Sequence, residues 1–166
     1  MRLVKNIAFA LAGSVAVAAT SYAGQAEVNW VDPQSYTDIR SGDESRKRFE
    51  ERVFKELEQH ISELAAKLPA EQTLKMDVVN LDLAGEIRYM VGPNNDSIRV
   101  IEDLYFPKMR FNYSLLDKDG KVLAQGKENI KDMGFFNSTH QRLNRESFTY
   151  EKAMISDWFE ETFDVK

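Results

Sequence analysis

Hydrophobic and polar positions follow two periods along this chain, and each change of period marks an element. Glu27-Val28-Asn29-Trp30-Val31 alternates with a period of two and then meets Asp32-Pro33, which predicts a short first strand closed by a turn. Further on, Phe49, Val53, Leu57, Ile61, Leu64 and Leu68 recur every three or four residues, the single apolar stripe of an amphipathic helix. Ser41-Gly42-Asp43-Glu44 predicts its start, with Ser41 capping and Glu44 reaching back in a capping box, and Pro69 ends it. Arg46, Lys47, Glu51, Lys55 and Glu58 then fall on the solvated face.

Period two returns in Leu74, Met76 and Val78, but from Val79 the apolar positions become Val79, Leu81 and Leu83. A slip of one residue would turn every side chain over, so the strand needs a bulge near Val78 and Val79 or burial on both faces. Gly85 closes it, and Gly92-Pro93-Asn94-Asn95-Asp96 is a loop. Ile98, Val100 and Leu104 predict another strand reaching Pro107. Met109, Phe111, Tyr113 and Leu115 alternate with polar partners, and Asp117-Lys118-Asp119-Gly120 turns this half-exposed strand into an antiparallel return from Lys121 to Ile130. Asp132 to Glu146 is irregular and pinned by Phe135 and Phe136. A terminal helix begins near Ser147 or Thr149 with Met154, Ile155, Trp158, Phe159 and Phe163 on one side. The expected fold class is α+β: a two-layer sandwich in which two helices cover one face of a mostly antiparallel sheet of four to five strands.

Composition narrows this picture at the N-terminus. Arg2 and Lys5 precede an apolar run from Ile7 to Ala19, which at thirteen residues is shorter than the roughly 20 that span a bilayer. Ser21 and Ala23 suit the −3 and −1 positions of a cleavage site. The expectation is a secretory signal peptide over residues 1–23, a single domain over residues 24–166, and no stable membrane insertion after cleavage. The chain has no cysteine, so neither a lipid anchor, a disulfide nor a thiolate metal site is available. Its net charge of −5 becomes −7 without Arg2 and Lys5, which argues against non-specific nucleic-acid binding. The expected location is the periplasm or the exterior.

Trp30-Val31-Asp32-Pro33 with Tyr36-Thr37-Asp38, Leu68-Pro69, Asp82-Leu83-Ala84-Gly85-Glu86, Arg99-Val100, Tyr105-Phe106-Pro107, Asp119-Gly120, Tyr150-Glu151-Lys152 and Asp157-Trp158-Phe159 form an ordered set. In this set the chain resembles the secreted proteobacterial family known as domain of unknown function 3016. The resemblance implies export and a single domain, and it carries no established activity. Asn80 stands where that family often has a second acid, which weakens a diacid metal reading.

Three groups of residues could carry chemistry. Asp82 with Glu86, helped by Asn80, offers oxygen ligands suited to calcium or magnesium; in the structural reading Asp82 instead bonds backbone donors in the turn after Gly85. Glu151 lies on the apolar stripe of the last helix, where a carboxylate is either buried and paired, favoured by the helix dipole and an arginine, or perturbed for function. Arg99, Lys108 and Arg110, with Tyr105 and Phe106 nearby, form a basic patch on the open sheet face or a simple solvated face. His60 and His140 lie outside any zinc-ligand spacing, Lys152 is expected to snorkel, and no cofactor motif is present. The leading expectation is non-catalytic binding of an envelope protein or another envelope component through the open face and the Glu86 to Ser97 loop. The alternatives are a carboxylate- or metal-dependent hydrolase built on Asp82, Glu86 and Glu151, and a small-ligand carrier with an apolar cavity.

Overall fold

The computed structural model describes residues 23–91, 94, 96–137 and 146–165. The leader up to residue 22, three residues of the Gly92 to Asp96 loop, and His140 lie outside them. Among the described residues, six strands and two helices follow in the order β1 (Gln25–Trp30), α1 (Arg46–Ala65), β2 (Thr73–Asp82), β3 (Glu86–Arg88), β4 (Ile98–Val100), β5 (Lys108–Leu116), β6 (Val122–Lys131) and α2 (Thr149–Phe163). Single 3-10 turns lie at Pro33–Ser35 and Phe135–Asn137.

Four strands make one sheet in the order β1-β2-β5-β6, and β3 with β4 makes a separate two-stranded sheet. The β1 and β2 strands are parallel because α1 carries the chain back between them, whereas β2-β5 and β5-β6 are antiparallel. The α+β sandwich expected from the periodicity is therefore present, with one parallel pair in a mainly antiparallel sheet. Phe49, Val53, Leu57, Ile61 and Leu64 of α1 and Met154, Ile155, Trp158 and Phe159 of α2 are buried together with Leu74, Met76, Val78, Met109 and Phe111 of the sheet. Trp158 packs edge-on to Phe111 and Tyr113, so the space between the layers is filled by side chains.

The change of parity in β2 is a real bulge. Its pairing with β5 shifts between Val78 and Asn80, and Val79 is the residue turned out to solvent. Leu74, Met76 and Val78 before the bulge and Leu81 and Leu83 after it thus all reach the core. At the hairpin, Asp117 accepts the Asp119 and Lys121 backbone N–H groups and Gly120 takes φ +78°, as the turn requires.

Two expectations are corrected. The helix does not open on a capping box: Ser41 donates its hydroxyl to the Glu44 carbonyl, Glu44 pairs with Arg52, and α1 begins only at Arg46 after Ser45, which makes no side-chain cap. Residues 41–44 are held against β4 instead, since Asp43 accepts the Ser97 N–H and a Cβ on Gly42 would meet the Ser97 carbonyl. The strand expected to run from Ile98 to Pro107 stops at Val100. There the chain turns between Glu102 and Tyr105, and the Tyr105 carbonyl accepts the Gly85 N–H.

Candidate functional site

The segment Leu83-Ala84-Gly85, just past the end of β2, is bonded from every element around it. The Leu83 N–H goes to the Asp38 carbonyl, the Gly85 N–H to the Tyr105 carbonyl, and the Ala84 N–H to Glu151 Oε1 at 2.7 Å. Arg99 closes the arrangement: Nη1 donates to the Ala84 and Gly85 carbonyls at 3.2 and 3.0 Å and meets Asp38 Oδ2 at 3.0 Å, while Nη2 donates to the Arg40 carbonyl. Gly85 holds φ +78°, and a Cβ there would run into the Val100 carbonyl. The result is a clasp that fastens the β3-β4 hairpin to the end of β2, to the Asp38 to Arg40 segment ahead of α1 and to the first turn of α2.

Glu151 is only 2% exposed. Burial pushes its carboxyl above the ordinary range, opposed by the Ala84 N–H, its own backbone N–H and the Arg99 charge. It faces a cleft of about 260 Å³ lined also by Arg52, Ala84, Arg99, Phe148 and Tyr150. Arg99 spends its terminal nitrogens on Asp38 and three carbonyls, so its charge serves the clasp. Lys152, beside Glu151, pairs with Glu56 at 2.9 Å and joins the two helices rather than simply snorkelling. His60 bridges the same helices, with Nε2 2.9 Å from the Lys152 carbonyl and from Ser156 Oγ.

Asp82, Glu86 and Glu151 each engage a different partner. Asp82 does not bond backbone donors after Gly85: it faces its cross-strand neighbour Lys108 and pairs with it at 2.9 Å. Glu86 binds Arg88 at 3.2 Å and the Tyr105 hydroxyl, which raises the Tyr105 pKa. Asn80 accepts the Thr37 N–H and hydroxyl. Among the described residues no group of three His, Asp or Glu side chains is placed to hold a metal ion.

The expected basic patch is divided. Arg99 and Tyr105 belong to the clasp, and Lys108, lying 4.6 Å over the Phe106 ring, is neutralised by Asp82. Arg110 does stand exposed on the open face, joined there by Lys127 and Lys131 of β6. Counting the register back from the Asp117 to Gly120 turn would have placed Ile130 opposite Lys108; the irregularity between Leu115 and Leu116 shifts the pairing by one residue and brings Lys131 there, which neither turn nor alternation announces.

Beyond the clasp the β3-β4 hairpin projects with Tyr89, Met90 and Val91 at its end, 65, 77 and 55% exposed, and Met90 at φ +58°. Its base is braced by Arg88, which bonds Glu86 and, at 2.6 Å, Glu102.

No curated protein and no solved structure matches the chain. A family model matches residues 24–161, nearly all of the described structure and the whole ordered set of motifs from Trp30 to Phe159. The chain therefore belongs to the family described as protein of unknown function (DUF3016).

Proposed function

We propose that this protein is an exported, non-catalytic binding domain of the cell envelope that grips a protein partner with the end of its β3-β4 hairpin. One observation carries the reading: three successive apolar residues, Tyr89, Met90 and Val91, stand more than half exposed on a segment whose base is fixed by ion pairs and by the clasp. Leaving apolar area in water costs free energy at about 25 cal/mol per Å², and a contiguous exposed group of this kind marks a surface that a partner covers. Aromatic and methionine side chains are the types enriched at such contacts, and a braced hairpin loses little entropy on docking.

Export is supported by the basic and apolar leader ending at Ala23 and by a family match that begins at Gly24. Either the periplasm or the exterior fits. Among the described residues no helix is long and apolar enough to cross a membrane.

A photo-crosslinking residue placed at Met90 in growing cells tests the proposal. A discrete adduct that disappears when Tyr89 and Val91 are changed to serine is expected. Labelling at Met90 no stronger than labelling from Lys47 on the exposed face of α1 sinks it.

A further inference from the structure

The open face of the sheet carries a second feature, independent of the hairpin. Its charges are segregated by strand. On the β1-β2 half the acids are satisfied locally: Glu27 pairs with Lys75 at 2.7 Å, Asp77 accepts from Asn29 at 2.9 Å, and Asp82 pairs with Lys108. On the β5-β6 half, Arg110, Lys127 and Lys131 are all exposed, and among the described residues none has a carboxylate within ion-pair distance.

Register puts these three cations together. Arg110 lies directly opposite Asn129, and Lys131 lies directly opposite Lys108. Lys127 sits opposite Asn112, so it and Lys131 flank Arg110 diagonally. Residues 108, 110 and 112 alternate with buried Met109 and Phe111, so this whole group projects from the open face. Placing Lys131 across from Lys108 is unfavourable by itself, because like charges directly opposite on a sheet repel. Lys127 and Lys131 are four residues apart, roughly 13 Å along the strand, which exceeds the width of a single phosphate or carboxylate. The row therefore fits an extended ligand bearing repeated negative charge.

The neutral positions around the cations specify the ligand further. Asn112, Ser114, Gln125 and Asn129 share the face and supply amide and hydroxyl groups that both donate and accept hydrogen bonds. These four positions carry no ring to stack on bases and no apolar side chain to enter a bilayer; the nearby Phe106 ring is covered by Lys108, and Val79 and Leu123 stand singly rather than as a patch. Hydroxyl-rich rings bearing carboxylate or sulfate groups match both the charge and the hydrogen-bonding chemistry. We infer that the β5-β6 half of the open sheet face is a binding site for an anionic polysaccharide, held by Arg110, Lys127 and Lys131 with Asn112 and Asn129 between them. The chain is acidic overall, but at physiological salt the screening length is about 8 Å, so the local row governs the contact.

Titration calorimetry and affinity electrophoresis of the protein without residues 1–23 against polygalacturonate and dextran sulfate test the inference. Salt-sensitive binding is expected. The triple variant Arg110→Gln, Lys127→Gln, Lys131→Gln should lose it by about ten-fold or more, with a smaller dependence on salt. Lys127→Arg with Lys131→Arg should keep it, as should Lys47→Gln with Lys55→Gln on α1. Absence of binding, or binding unchanged in the triple variant, overturns the inference. So does equal affinity for poly-glutamate or for phosphatidylglycerol vesicles, which would assign the face to an acidic protein or a lipid surface. A triple variant that self-associates while still binding polysaccharide shows that the cations only guard the β6 edge. The variant with Tyr89 and Val91 changed to serine should bind the polysaccharides normally, so the two proposals fail separately.

Discussion

Glu151 shows how one side chain can be structural and still titrate in a way that can be measured. Its folded-state pKa is raised by burial, so the stability it contributes is complete below the unfolded value near 4.3 and is lost as pH rises through the raised value. Glu151→Gln keeps an oxygen for the Ala84 N–H and removes the buried charge. Its melting temperature should exceed that of the unmodified protein at pH 7.5, and the gap should close toward pH 4.5; a gap independent of pH would contradict the assignment. Glu151→Ala instead leaves the Ala84 N–H without an acceptor and should cost about 1 to 3 kcal/mol in denaturant unfolding. His60 has the opposite sign. Burial lowers its pKa, opposed by its bond to the Lys152 carbonyl, so its contribution is present above about 6.5 and is lost as pH falls through the depressed folded value. His60→Gln should flatten that acid limb of the stability profile, measured as the difference from the unmodified protein.

The elements divide into those with a local cause and those with a distant one. The parity change in β2, the α1 stripe and the Asp117 to Gly120 turn were all legible, because periodicity and turn chemistry act within a few residues; the choice of a bulge over burial on both faces was made by the pairing with β5. The delayed start of α1 and the early end of β4 were not. Both arise where separate segments meet, Asp43 with Ser97 and Gly85 with Tyr105. The two glycines at φ +78° make the contrast testable. Gly120 has open space around its missing Cβ, so Gly120→Ala should cost only the left-handed conformation, about 1 to 2 kcal/mol. Gly85→Ala adds a collision with the Val100 backbone, should cost clearly more, and should raise hydrogen exchange in β3 and β4. Equal losses at the two sites would mean that the clasp is looser than its bonding indicates.

At the scale of the whole molecule, a single core joins both helices to all four strands of the main sheet, and unfolding should be one cooperative event. The two tryptophans report on separate halves of it. Trp30 on β1 stacks on Phe54 at 4.3 Å and donates to Glu58, while Trp158 on α2 packs against Phe111 and Tyr113. Urea curves followed by each tryptophan alone, in Trp158→Phe and Trp30→Phe proteins, should each coincide with the far-UV circular dichroism of the same variant; separated midpoints would reveal two units. Trp158→Ala should cost about 3 to 5 kcal/mol through the cavity it leaves. Trp158→Phe should cost much less, because the indole N–H it removes is buried without a partner among the described residues.

Within the described residues, sequence alone determined the α+β class, the place of the parity change in β2, the hairpin and the buried faces of both helices, since each follows from the spacing of apolar side chains over short stretches; that the parity change is a bulge rather than burial on both faces came from the pairing with β5. It also singled out Asp82, Arg99, Lys108, Arg110 and Glu151 as polar residues with something to explain. Tertiary structure alone decided their partners. Glu151 meets a backbone N–H 67 residues away, Arg99 closes the clasp, and Asp82 is neutralised by Lys108 across a strand pair. It also brought Lys127 and Lys131 beside Arg110 and left Tyr89, Met90 and Val91 in water. The physical reason is range: hydrophobic periodicity is written in neighbouring residues, whereas the pairing of charges and buried hydrogen-bonding groups depends on which distant segments the packed core brings within about 3 Å of one another.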